Sequence, residues 1–273
     1  MPIWTTQPQA WGWFHILGIV IAFVFIFLGF FLGNKFKVSQ KPKISNMILS
    51  LCSIFFISIE VLKEVMLVVR GEFAYRELPF QICSLIIFTL PIMLLIKKES
   101  VKDFFVSFIS FFCMTGAFFY FVKPTTALNS PYILISIRSF LWHWMILFTC
   151  TFLIESYDVL KRKIHKFFFK GYILWLVFLT IAVTIDTLCY FYYPEEEINF
   201  FYIAIGTKPF YPILNLIFDT TEKGMKYYPL YFFAFAVYYG LGTYLMFIFS
   251  SVLNHLYHTI GRKKNKENKT IKK

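Results

Sequence analysis

Three observations predict an all-α membrane protein built as a seven-transmembrane helix bundle. The chain of 273 residues is 58% hydrophobic and 22% aromatic, and only 15% of it is charged. That balance is too apolar for a soluble domain of this size. The apolar residues also gather into runs of about 20, the length that crosses roughly 30 Å of hydrocarbon at about 1.5 Å per residue. Seven such runs lie near 11–33, 44–69, 78–96, 104–122, 132–154, 171–193 and 229–256.

No Lys or Arg precedes the first run and no small-residue cleavage pattern closes it, so it reads as a retained span rather than a signal peptide. Orientation follows from the basic residues between runs. Lys35, Lys37, Lys41, Lys43, Lys97, Lys98, Lys102, the 161–170 cluster and the 262–273 segment fall on one side, nineteen in all. Arg70, Arg76, Lys123, Lys208, Lys223 and Lys226 fall on the other. The positive-inside rule then puts the N-terminus outside and the C-terminus in the cytoplasm of a cell membrane, bacterial by this reading. Residues 1–256 form the transmembrane domain, and 257–273 a basic cytoplasmic tail, disordered on the lipid surface. The net charge of +12 is accounted for by these short loops and by anionic lipid heads, so no nucleic-acid partner is expected. Cysteines 52, 83, 113, 150 and 189 show neither CxxC nor paired spacing, which gives no disulfide framework and no metal site; no cofactor is expected either.

Taken in order, the first run opens on an interfacial Trp11-Gly12-Trp13 anchor with a solvated His15 and closes on Gly29 and Gly33 at small-xxx-small spacing. In the second run Asn46, Ser53, Lys63 and Glu64 fall within about 60° of Glu60 at about 100° per residue, one polar stripe. Ionisable groups are costly against lipid, so the stripe faces the bundle, either as internal ion pairs with Lys63 or as a functional surface. In the third run Pro79 suits a first helical turn, which places Cys83 one turn inside the span. The fourth run, rich in Phe and free of charge, reads as lipid-facing scaffold with Cys113 as packing.

The fifth run holds His143 on one face with Ser136, Ser139 and Cys150, all within about 40°, while Arg138 points about 140° away toward other neighbours. Asp186 in the sixth run points about 100° or more from the strip of Thr180, Thr184 and Thr187, which read as helix contacts. The 194–228 stretch, opening on Glu195-Glu196-Glu197 and broken by Gly206, Pro209 and Pro212, suits a re-entrant or interfacial lid over the outer side.

Depth joins these residues. Under the alternating topology Glu60, Lys63, Glu64, Cys83, Arg138, His143 and Asp186 all fall within about 5 to 11 residues, roughly 8 to 16 Å, of the outer boundary. Four spans with their costly groups at one level argue for a single polar chamber open to the outer leaflet. In it a thiol is inert unless a base takes its proton, and His143 is the histidine at that depth. Gln81 or Arg138 could donate to an oxyanion, and Arg138 could clamp a phosphate.

The stretches Arg76 to Ser84 (R-E-L-P-F-Q-I-C-S), Ser139 to Trp144 (S-F-L-W-H-W), Asn199 to Pro209 and Tyr227 to Tyr231 resemble the YwaF-type bacterial integral-membrane family and the eukaryotic cysteine-dependent ether-phospholipid acyltransferase related to it. The resemblance implies acyl transfer between membrane phospholipids through a thioester, with Cys83 and His143 at the positions of the reacting pair. Two functions remain open from the residues, beside a third possibility, a scaffold whose charges form structural ion pairs. One is a lipid-modifying enzyme in which Cys83 attacks an ester, His143 moves the proton, Arg138 holds the lipid phosphate, and Glu60, Glu64 and Asp186 orient the cations. The other is a small transporter or substrate-binding membrane subunit whose carboxylates carry protons or a cationic solute.

Overall fold

In the computed structural model, residues 8–124, 128, 133–193, 198–204, 211, 213–218 and 227–271 are described. Among them the chain is all-helical: α1 (Trp13–Lys35), α2 (Pro42–Arg70), α3 (Ile86–Leu95), α4 (Glu99–Val122), α5 (Ile133–Ser156), α6 (Ile164–Tyr192) and α7 (Tyr228–Ile271), with a short helical turn at Leu214–Ile217. Five of these, α1, α4, α5, α6 and α7, are long and apolar enough to cross a membrane, so the protein is a multi-pass membrane protein. The other two expected spans differ in kind. Helix α2 has 29 residues and carries Glu60, Lys63 and Glu64 toward its C-terminal end. The 78–96 run is helical only over the 10 residues of α3, because the Gln81 carbonyl accepts the N–H groups of both Ser84 and Leu85 and folds the preceding chain into a turn. The expected acidic stretch Glu195-Glu196-Glu197 and the breakers Gly206, Pro209 and Pro212 lie outside the described residues.

Helix α2 starts on Pro42, whose missing N–H needs no partner there, and stops at Gly71 in the left-handed region (φ 67°), whose N–H returns to Leu67 and Val68. Helices α1 and α5 run parallel in close contact because glycines line the seam. A Cβ on Gly29 would lie 2.6 Å from the Phe148 carbonyl oxygen, and one on Gly33 would lie 2.8 Å from that of Phe152. The Trp144 indole donates to the Gly18 carbonyl at 2.8 Å and ties the same pair together near its other end.

Helix α4 is the core rather than the lipid-facing scaffold its sequence suggests: Phe108, Phe111 and Phe112 are fully buried. An apolar run suits lipid and protein interior alike, so its sequence does not choose between them. Residues Phe108–Cys113 form a π-helical stretch, and side-chain donors from neighbouring positions meet its carbonyls. Cys150 Sγ reaches Ile109 O at 3.0 Å, Tyr239 OH reaches Phe112 O at 3.0 Å, and Thr115 Oγ1 reaches Phe111 O at 2.8 Å. Helix α6 approaches the start of this stretch at Gly171, where a Cβ would lie 2.9 Å from Phe108 N.

Three further expectations change. His15 is fully buried, not solvated: Trp11 N–H donates to Nδ1 at 2.9 Å and Nε2 meets Phe121 O at 2.8 Å. Thr180 and Thr184 are exposed, and their hydroxyls return to the carbonyls of Leu176 and Thr180 at 2.8 Å instead of reaching another helix. Helix α7 continues through the basic segment to Ile271, where a disordered tail was expected.

At the end of the bundle opposite Cys83, ion pairs hold the loops. Lys37 Nζ lies 2.6 Å from Asp158 and 3.3 Å from Glu155, Lys161 lies 2.6 Å from Asp158, and Asp103 pairs with Arg162 and Lys170. Partial burial would push the Asp158 carboxyl up, but the Lys161 and Lys37 ammonium groups outweigh it and hold the group below its usual value.

Two outcomes follow. Gly29→Val should destabilise the protein by about 1–3 kcal/mol, since the clash is with backbone; thermal unfolding in detergent reads this, and an unchanged midpoint would contradict the seam. Because the folded pKa of Asp158 is depressed, its pairing stabilises above the ordinary value of about 3.9 and is lost as pH falls through the lower folded value. Asp158→Asn tolerates the same left-handed backbone (φ 49°) and should flatten the acid limb of a stability–pH curve. Identical acid limbs would show that the pairing contributes nothing.

Candidate functional site

The segment from Gly71 to Leu85 is largely non-helical, with one 3-10 turn at Tyr75–Glu77, and it is packed against the middle of α4. Gly116 faces it: a Cβ there would sit in ordinary contact, 3.5 Å from both Cys83 N and the Ile82 side chain. Cys113 Sγ lies 3.9 Å from Ile82 O. Cys83 therefore stands in a turn ahead of α3 rather than one turn inside a span, and Pro79 lies in the preceding bend.

Two cavities meet at this turn. A polar one of about 390 Å³ is bordered by Glu60, Lys63, Arg76, Glu77, Arg138 and Ser139. An apolar one of about 120 Å³ is bordered by Ile82, Gly116, Phe119, Tyr120, Tyr211 and Tyr239. Gln81, Cys83, His143 and Tyr202 line both. Of the residues singled out from sequence, Glu60, Lys63, Gln81, Cys83, Arg138 and His143 thus come together, whereas Glu64 and Asp186 line neither cavity. Arg138 and His143 do have different immediate partners, yet both border the polar cavity.

The charges in the polar cavity are largely paired. Lys63 Nζ lies 2.6 Å from Glu60 and 2.8 Å from Glu64 as ion pairs, and it donates to the Glu77 carbonyl at 2.6 Å. Arg138 Nη2 donates to Glu60 Oε2 at 2.8 Å, and the guanidinium lies 5.7 Å from the Trp142 ring centroid. Its Nε–H is buried without a hydrogen-bond acceptor. Arg138 therefore keeps donor capacity that a bound anion could meet.

His143 is buried, and its ring lies parallel on Tyr120 at 3.6 Å between centroids. Its Nδ1 is 2.7 Å from the Ser139 carbonyl oxygen, which can only accept, so Nδ1 carries the proton and Nε2 the lone pair. His15 offers a contrast, because both of its nitrogens are used within the protein. His143 has the tautomer of a base and His15 that of a strut.

The roof comes from residues 199–204. Gln81 Nε2 donates to Asn199 O at 3.0 Å, and Phe201 N–H donates to Gln81 Oε1 at 2.9 Å, so both ends of the amide are spent on loop backbone. Asp186 is a second anchor: its Oδ1 accepts from Phe200 N–H at 2.9 Å. Between these anchors Phe201 and Tyr202 take positive φ values of 57° and 58°, a costly conformation for aromatic residues that places Tyr202 between the cavities. Sequence reasoning missed Tyr120, Tyr202 and Gly116. Helical spacing gave no sign of them, since two lie in unbroken aromatic or apolar runs and one in an irregular loop.

A sequence model of the TMEM164 family matches residues 10–249 of the chain. No curated protein and no solved structure matches it.

If the Gln81 amide fastens the roof, Gln81→Leu should raise the alkylation rate of Cys83 by water-soluble iodoacetamide about tenfold or more, the equivalent of losing roughly 1.4 kcal/mol of closure. Site-resolved mass spectrometry separates Cys83 from the four other thiols. A rate equal to that of the unmodified protein would mean that the loop is held without Gln81.

Proposed function

The chain belongs to the TMEM164 family, and on that premise, with its likeness to cysteine-dependent phospholipid acyltransferases at 76–84 and 139–144, we propose that it moves acyl chains between membrane phospholipids through a Cys83 thioester. The observation that carries the reading is the shared lining: Cys83 and His143 both border a polar cavity and an apolar one. An ester of a phospholipid joins a charged headgroup to a hydrocarbon chain, so a reacting pair placed where the two cavities meet suits that bond.

In this reading His143 Nε2 takes the Cys83 proton as sulfur attacks the ester carbonyl, then returns it to the departing alcohol. The lysolipid leaves and the acyl chain remains on sulfur. A second lipid hydroxyl, deprotonated by the same imidazole, attacks the thioester and restores the thiol. Arg138 supplies the donor for the lipid phosphate, while Glu60, shared by Lys63 and Arg138, holds both cations in place. The topology that goes with the reading is the seven-span one. Helix α2 and the Cys83 segment with α3 complete the bundle, the N-terminus lies outside, and the site opens to the outer leaflet of the cell membrane.

Purified protein incubated with acyl-labelled phospholipid should gain label that neutral hydroxylamine releases. Cys83→Ala should abolish the label, and His143→Ala should slow its appearance by about 10²–10⁴-fold, the usual contribution of a positioned base. Protein that stays unlabelled, or label that persists in Cys83→Ala, refutes the reading.

A further inference from the structure

Tyr120 is buried, and its hydroxyl has no hydrogen-bond partner. The neighbouring Ser139 side chain approaches it without meeting hydrogen-bond geometry. Leaving a buried hydroxyl unpaired costs about 1–3 kcal/mol, so the group needs an explanation. Two other tyrosines of the apolar cavity sharpen the contrast. Tyr239 OH donates to Phe112 O at 3.0 Å and Tyr211 OH to Phe201 O at 3.3 Å. The Tyr120 ring is also the platform on which His143 lies, with the two planes 4° apart. Tyr120, His143 and Cys83 all border the same apolar cavity.

We infer that Tyr120 is a catalytic residue whose O–H donates to the oxyanion formed when Cys83 attacks an acyl ester. This inference rests on the thioester chemistry proposed above. As the C–S bond forms, the carbonyl π pair moves onto oxygen, and the proton lost by sulfur sits on His143. The Tyr120 hydroxyl donates to the new negative charge. When the C=O bond re-forms, the ester C–O bond breaks and the leaving alkoxide takes the proton from His143. The face of the Tyr120 ring meets the positively charged imidazolium during the same interval, a favourable cation–π arrangement. One residue therefore serves both charges of the intermediate, through its edge and its face. The ground state leaves the hydroxyl unpaired, and the transition state supplies its acceptor, which is the differential binding that lowers a barrier.

Tyr120→Phe separates these roles, because the ring and its stack on His143 remain. Full-length protein in nanodiscs should acylate Cys83 about a hundredfold more slowly than the unmodified protein, the usual effect of losing one oxyanion donor. Alkylation of Cys83 by iodoacetamide, which forms no oxyanion, should stay within about twofold. The thermal midpoint should hold or rise, since an unpaired buried hydroxyl has been removed. Acylation within about threefold of the unmodified rate would overturn the inference, because a single donor is worth more than that. A lowered midpoint with alkylation slowed in parallel would overturn it as well, by showing a structural role. If the unmodified protein forms no thioester, the acyltransferase reading itself fails; a thioester that forms equally fast in Tyr120→Phe refutes the tyrosine alone.

Discussion

The arrangement around Cys83 depends on one constraint: backbone that is not helical must find hydrogen-bond partners inside the bundle. In hydrocarbon each unpaired peptide group costs several kcal/mol, so irregular chain survives at depth only when protein surrounds it. The turn before α3 meets this through side chains borrowed from elsewhere. Lys63 donates to the Glu77 carbonyl and the Cys113 thiol lies against that of Ile82, while the turn's own Gln81 side chain serves the Asn199 and Phe201 backbone of the roof. The thiol sits where it does because these partners fix the backbone that carries it, and the two cavities are the gaps left on either side.

The same constraint accounts for α4. Its π-helical stretch shifts carbonyls out of register, and thiol, phenol and hydroxyl groups from α5, α7 and α4 itself meet three of them. The helix then needs burial on every side, which its phenylalanines supply. Aromatic packing and polar satisfaction act here as one device: α4 holds Gly116 opposite Cys83 and Tyr120 beneath His143, so the positions of Cys83 and His143 follow from the packing of the core.

Much of the bundle was legible in the sequence, and the reasons are physical. The boundaries of α1, α5 and α7 follow from apolar length and start within a few residues of the expected runs. The polar stripe of α2 was readable because ionisable groups in an apolar run are expensive, and its internal pairing with Lys63 is present. Other features carry no periodic signal. Helical angle says which face a side chain occupies but not which neighbour it meets, so Asp186, read as a chamber group, proves to hold the roof through Phe200. A uniformly apolar helix has no face to read, which hid the core position of α4 and the role of Tyr120. The early start expected for the third helix arose because Pro79 fits a first turn by its local chemistry alone. The Gln81 carbonyl, by taking two N–H groups, directs the chain otherwise.

The pairing of the carboxylates also bears on the choice between chemistry and transport. A proton carrier must give up its counter-charge on each cycle, and a cation-binding site must keep its carboxylates available. Glu60 faces Lys63 on one oxygen and Arg138 on the other, while Glu64 faces the same Lys63, which also donates to the Glu77 carbonyl. Removing the Glu60 carboxylate would leave two cations short of a partner at once, at the cost that makes broken buried ion pairs destabilising. The network therefore turns on Glu60. Its spare capacity is a donor, the Arg138 Nε–H, which suits a site that receives an anion and holds it still while bonds change beside it.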